Sequence, residues 1–426
     1  MSNIVKKVTG WIEHHIIKNR LTNLYLLSYS KKVYKEYLSN FSSVALKHNK
    51  KIRVGFFIQR SETFDAVRTI FNHMVNCSDK YDVVTIVLPR FNQGNGELKY
   101  DSLDENIKFS KSLSNNQHKT IISYEGGHFI DLSLLDLDYL FLCVPYEDQY
   151  PIDYNFKYLH SITRLCYVPY AYTIWSDMIQ MELSFPLNLL ESCDYIFADN
   201  FITDKYLKSV YKDASKNNNR IFSYYFGFPS LDLCEESKNN LFEKVLWIPR
   251  WTSDNKRNTG SSFMKYKDDV TAAIEENSNT YIVRPHPLMF DNYLENGIMS
   301  LEEIEDFKNK VNRNGSYLDN GGDYFASIKK ADILLADYSS VIIQYFLMNK
   351  PVIYLDKPKH FHKKVRYVCN SFYYANDWNE ISKIITNLKN GIDSKKQNRR
   401  KCIDRFKSQC IENSGIKIAE FLYLQK

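Results

Sequence analysis

ADILLADYSSVIIQYFLMNKPVIYLD, residues 331–356, carries the reading of the fold. Ile333–Ala336 is a four-residue apolar run with no polar alternation, as in a strand buried on both faces. It runs directly into Asp337, Tyr338, Ser339 and Ser340. A long apolar helix is expected from Val341 onward. Asn349, Lys350 and Pro351 then break the pattern before a second apolar strand, Val352–Leu355. Strand, polar turn, helix and strand in this order make one unit of a parallel sheet.

The same alternation recurs on both sides. Upstream, IRVGFFI, DVVTIVL, YLFLCVPY, RLCYVPYAY, DYIFADN and RIFSYYFGFPS read as successive buried strands, with FDAVRTIFNHMV helical after the first. A polar break, DLCEESKNNLFEK (residues 232–244), precedes a second series: VLWIPRW, TYIVRPHPL, GSYLDNG and the opening stretch. The expected fold class is therefore α/β, with two Rossmann-like parallel sheets facing a cleft. The expected organisation is an amphipathic helical segment over 1–48, a first Rossmann-like domain over 49–235, and a second over 236–376. Charged helices over 377–426 could cross back to the first domain.

Length and composition agree with two ordinary domains. The chain has 426 residues, 44% hydrophobic and 25% charged. The net charge of +6 is spread along the chain, which fits an anionic substrate or membrane surface and is too diffuse for nucleic acid. The eight cysteines form no close pairs of metal-binding spacing, and a reducing cytoplasm is the simplest compartment. No run reaches the roughly 20 apolar residues a membrane helix needs. Ile4, Val8, Ile12 and Ile16 with nearby lysines give the N-terminal helix a basic amphipathic character. Peripheral contact with the inner face of the cell membrane and packing on the domain are equally open.

In parallel sheets ligands gather at the carboxyl ends of strands, so the residues there are the site candidates. In the second domain they are Arg250, Thr252 and Ser253 after VLWI, Arg284 and His286 after YIV, and Asp337, Ser339 and Ser340 after ILLA. Serines at a helix start can cap it or, with its free N–H groups, bind a phosphate. Asp337 would repel a phosphate and suits orienting the turn. His286 is framed by Pro285 and Pro287, a rigid setting for a side chain aimed at a ligand. In the first domain, QRSETFDAV offers Glu62 and Asp65, as proton acceptors or as residues that favour a helix start. His360 and His362 stand among lysines that oppose a bound cation. No glycine-rich phosphate loop and no acidic pair at a strand end is present, so neither metal nor cofactor is expected.

WIPRW, RPHPLM, GFPSLD and above all GGDYFASIKKADILLADYSSVIIQYFLMNKPVIYL resemble the CDP-glycerol glycerophosphotransferase family, the teichoic acid primases and polymerases and their capsule-synthesis relatives. The resemblance covers roughly residues 225–360. It implies a GT-B fold whose second domain binds the nucleotide of a CDP-activated polyol donor. It implies donor contacts by His286, Ser339 and Ser340, with Asp323 and Tyr324 matching the acidic stretch before the final helix pair. Acceptor attack would release CMP, and the acceptor would be a surface glycan, free or lipid-linked. One departure stands out. Where the family's polymerases carry a Trp-His-Gly turn, this chain reads Val168–Pro169–Tyr170–Ala171. A tyrosine phenol, whose ordinary pKa is near 10, is a weak base at neutral pH. Two rivals stay open: a GT-B glycosyltransferase using a nucleotide sugar, and a non-catalytic nucleotide- or glycan-binding member.

Overall fold

The computed structural model describes residues 51–91, 98–99, 101–113, 117–174, 181, 183–218, 223–237, 242–252, 260–321 and 323–425. The expected N-terminal amphipathic helix and Ser253 lie outside these residues. The chain divides into two compact units: residues 1–230 with 411–426, and residues 231–410.

The first unit is built on a seven-stranded parallel sheet. Its strands are β1 (Ile52–Ile58), β2 (Tyr81–Val87), β3 (Lys119–Ile122), β4 (Tyr139–Leu142), β5 (Arg164–Tyr167), β6 (Tyr195–Phe197) and β7 (Ser223–Tyr224). Their order across the sheet is β7-β6-β5-β4-β1-β2-β3. β1 lies centrally, in register with β2 from Ile52 opposite Tyr81 to Ile58 opposite Val87. Val54, Phe56 and Ile58 are fully buried. Burying each such side chain is worth about 1.5–3 kcal/mol, which is why an uninterrupted apolar run takes the centre of the sheet.

The helix expected from Phe64 begins later. Ser61–Ala66 forms a 3-10 turn and the α-helix spans Arg68–Asn76. Thr63 bonds its hydroxyl to the Arg60 carbonyl at 2.8 Å, and Asp65 pairs with Arg68, so local side-chain bonds tighten this first turn.

The last helix, Ser414–Leu424, also belongs to the first unit and packs on Arg68–Asn76. Tyr81 donates to the Ala419 carbonyl at 2.9 Å, and Glu420 meets both His73 and Lys80 at 3.0 Å. Gly415 permits the approach: a Cβ there would sit 2.3 Å from the Thr69 hydroxyl and 2.7 Å from its carbonyl carbon.

The second unit has a six-stranded parallel sheet: β8 (Lys244–Ile248), β9 (Thr280–Val283), β10 (Tyr317–Leu318), β11 (Ile333–Ala336), β12 (Val352–Tyr354) and β13 (Tyr373–Tyr374). The order is β10-β9-β8-β11-β12-β13, the doubly wound 3-2-1-4-5-6 arrangement. All four residues of β11 are fully buried. The strand order reverses between β8 and β11, which pair directly. The helix after Ser340 is shorter than its apolar run suggests. It spans only Val341–Leu347, and Asn349 turns the chain through the left-handed region (φ 60°) so that it can re-enter the sheet as β12.

Among the described residues, no helix is long and apolar enough to cross a membrane.

Candidate active site

The carboxyl ends of β8 and β11 meet at the point where the second sheet reverses its order. Such a switch point is where doubly wound sheets hold ligands. Asp337, directly after β11, joins the two ends. Its Oδ2 accepts the Arg250 N–H at 2.8 Å and the Ser262 N–H at 2.9 Å. Ser262 precedes the helix Phe263–Glu275, so one carboxylate fixes a turn and a helix start. At 2% exposure Asp337 positions the turn and presents little surface to a ligand. Burial pushes its pKa up to about 6, against the pull of the two amides.

Arg250 leaves β8 and places its guanidinium 5.7 Å from the centre of the Tyr338 ring. Its Nη1 is buried without a protein hydrogen-bond partner among the described residues. Burial also lowers its pKa. A confined cation with an unmet donor favours an incoming anion. Thr252 follows, its carbonyl accepting from Ser261 N–H at 3.3 Å.

After β9, Arg284 pairs with Asp319 at 2.6 Å, and Asp319 also accepts from Gly321 N–H and the Ser327 hydroxyl. Two residues on, His286 is exposed. Its Nδ1 accepts the Leu288 N–H at 3.2 Å, so the neutral ring carries its proton on Nε2. The His286 and Trp251 rings lie 6.1 Å apart, which brings the β8 and β9 turns together.

Ser339 and Ser340 are partly exposed. Ser340 stands at the N-cap without a side-chain capping bond, and Ser339 Oγ reaches the Val341 N–H only at 3.4 Å. Neither hydroxyl is committed to a strong cap. Asp323 has a different setting, as N-cap of Tyr324–Lys330, accepting from Ala326 N–H at 3.2 Å. Tyr324 accepts from Gln344 Nε2 at 2.7 Å and so links that helix to the one after Ser340.

Two roles escaped the sequence reading, one beside the turn and one at the opposite, amino end of β11. Asp356, two residues beyond β12, holds His360 Nδ1 at 2.9 Å. The His360 carbonyl accepts the Tyr338 hydroxyl at 3.0 Å. Tyr338 is thus braced by the Asp356–His360 pair on one part and by Arg250 on another. The clue in the sequence was an acid four residues before a histidine, straight after a strand. Weighing His360 only against His362, as a metal pair, hides that acid. Lys350 was the second omission. It is buried and donates to the carbonyls of Ile328, Lys329 and Ala331 at 2.6–2.9 Å, closing the C-terminus of Tyr324–Lys330.

The first-unit candidates separate. Asp65 does not face outward as a free base would: it is 1% exposed and ion-paired with Arg68. Of the two readings open for Asp65, proton acceptor or a residue that favours the helix start, this setting in the 3-10 turn fits the second. Glu62 accepts from Arg90 at 2.9 Å and keeps partial exposure. Tyr170 is 37% exposed and lies beside Tyr146. Among the described residues no three His, Cys, Asp or Glu side chains gather as metal ligands.

The family model for CDP-glycerol:poly(glycerophosphate) glycerophosphotransferases matches residues 186–420. Among solved structures, a variant of the wall teichoic acid polymerase TagF is similar at 13% identity, covering 100% of this chain and 98% of that one, with a TM-score of 0.50. A Listeria monocytogenes protein assigned as a UDP-N-acetylglucosamine 2-epimerase is similar at 10% identity, covering 86% and 95%, also with a TM-score of 0.50. At these identities the likeness is one of fold, and the fold is of GT-B type. No curated protein matches the chain in sequence.

Proposed function

Because the chain belongs to the CDP-glycerol:poly(glycerophosphate) glycerophosphotransferase family, we propose that it transfers glycerol phosphate from CDP-glycerol to a hydroxyl of a teichoic acid or capsular glycan. The acceptor oxygen attacks the phosphorus that bears glycerol. A new P–O bond forms, the bond to the CMP phosphate breaks, CMP leaves, and the acceptor proton passes to a base. Ribitol phosphate is the nearest alternative cargo.

The observation that carries this reading is the gathering of Arg250, His286, Ser339 and Ser340 on turns at the carboxyl edge of one parallel sheet, inside the matched residues. In the proposed roles Arg250 faces the diphosphate with its unmet donor. Ser339 and Ser340 add hydroxyl donors, and His286 offers Nε2–H to a phosphate oxygen whose charge grows as CMP departs. Asp337 holds the turn that presents the serines. Arg284, tied to Asp319, keeps the His286 turn in place, and Asp323 sets the helix beside it. On the acceptor side Glu62 and Tyr170 remain the proton-handling candidates.

The test is direct. The full chain, given CDP-glycerol, CDP-ribitol or UDP-N-acetylglucosamine with a glycerol phosphate primer, should release CMP from a CDP-alditol and extend the primer. Release of UDP with sugar transfer would establish the glycosyltransferase reading instead. Tight CDP-glycerol binding with no turnover on any primer would establish a binding protein.

A further inference from the structure

The second unit carries another recess, formed by its C-terminal elements. It lies between the 3-10 turn Arg366–Ser371 and the helix Lys396–Lys407, and encloses about 660 Å³. Its polar lining includes Arg366, Asn370, Tyr374, Lys395, Asn398 and Lys401. The volume falls in the range of ordinary ligand sites.

Charge distinguishes this recess. Residues 357–366 hold five lysines and arginines and no acid, and residues 395–407 hold seven with Asp404 as the one acid. Several of these cations are neutralised nearby. Arg399 pairs with Asp393, and Arg400 and Lys407 share Glu236. Arg366, Lys395 and Lys401 form no ion pair among the described residues, and these three line the recess. Arg366 is held in place, donating to the carbonyls of Phe361 at 3.2 Å and Lys359 at 3.1 Å. The lining therefore offers three uncompensated cations, one of them preorganised, beside two amides and a phenol. Cations suit phosphodiester groups, and amides suit the hydroxyls between them.

We propose that this recess is a second, non-catalytic site that holds a polyol phosphate chain, the polyanionic acceptor or product, while its end is extended. The inference rests on the function proposed above. A flexible chain with one negative charge per unit can enter a concavity, whereas a flat anionic bilayer meets only its rim. A held chain stays at high effective concentration near the enzyme, which favours repeated addition over release.

The experiment uses the full chain and a fluorescent oligo(glycerol phosphate) of defined length. Lys395→Gln with Lys401→Gln should weaken oligomer binding at least tenfold and make its salt dependence shallower. CMP release with a single-unit acceptor should stay at the wild-type rate, and polymer products should shorten. Lys395→Arg with Lys401→Arg, which keeps the charge, should bind like wild type. Equal thermal unfolding midpoints exclude a folding defect. Unchanged oligomer affinity in the glutamine variant would overturn the proposal. So would unchanged oligomer binding with lost adhesion to phosphatidylglycerol vesicles, which would make the patch a lipid contact. If the wild-type chain releases no CMP from CDP-glycerol, the functional reading fails, and the oligomer titration still decides the recess.

Discussion

The Asp337 carboxylate accepts the backbone N–H of Arg250 across 87 residues of chain. This bond ties β11 to β8 where the second sheet reverses its order. Burial lifts the Asp337 pKa from an ordinary 3.8 to about 6, so the folded chain holds this proton more tightly than the unfolded one. Its contribution to stability is then present below about pH 4 and is lost as pH rises through 6. The loss should approach about 3 kcal/mol. Asp337→Asn keeps an acceptor but cannot ionise. Denaturant titrations at pH 4, 5, 6 and 7 should give the variant a flatter profile than wild type, and parallel profiles would refute the shift.

His286→Ala should leave the fold intact, because the ring is exposed and its Nδ1 accepts from the amide two residues along the same turn. Turnover of CDP-glycerol should drop about a hundredfold or more, about 3 kcal/mol in the barrier. The fall should lie in kcat more than in KM. A wild-type rate would remove His286 from the chemistry.

Ser339→Ala with Ser340→Ala separates binding from capping. With no side-chain cap at Ser340 and only a long contact from Ser339, stability should change by less than about 0.5 kcal/mol. Donor affinity should fall by about 1–3 kcal/mol, as for hydrogen bonds to a charged group. Calorimetric titration with CDP-glycerol beside chemical denaturation reads both. Lost stability with unchanged affinity would assign the serines to the helix alone.

Lys350→Met tests a structural reading. The ammonium holds three carbonyls at a helix end, and burial draws its pKa down to about 8. The methionine fills the space but leaves those oxygens unmet, at a cost of about 2–3 kcal/mol. Denaturation midpoints decide it, and a neutral substitution would show that water satisfies the carbonyls equally well.

The strands were legible because burial on both faces writes a plain signal: Ile333–Ala336 and Ile52–Ile58 admit almost no polar residue. The polar turns were legible because they interrupt those runs. Sheet order was not, since the pairing of β8 with β11 joins residues far apart in sequence. The bonds of Asp337 to Arg250 and Ser262 depend on that pairing, so the sequence could place the acid at the turn without showing what it holds. The helix after Ser340 was overestimated because its apolar run continues through Met348, while Asn349 sets the geometry that ends it. Asp65 was left open between two roles for a local reason. A carboxylate in a first turn looks outward in sequence, and only the 3-10 geometry turns it onto Arg68.

The helix Ser414–Leu424 packs on Arg68–Asn76, more than 300 residues earlier in the chain. This imposes a schedule on synthesis. A ribosome releases β1 to β7 first, yet the first unit lacks its closing helix until Ser414–Leu424 emerges. Residues 231–410 have all left the ribosome by then and can complete their own unit in the interval. The unit that begins first is thus completed after the second. Until Ser414–Leu424 emerges, the apolar face of Arg68–Asn76 lacks the helix that packs on it, and a chain stalled or truncated before that point exposes the face to chaperones and proteases.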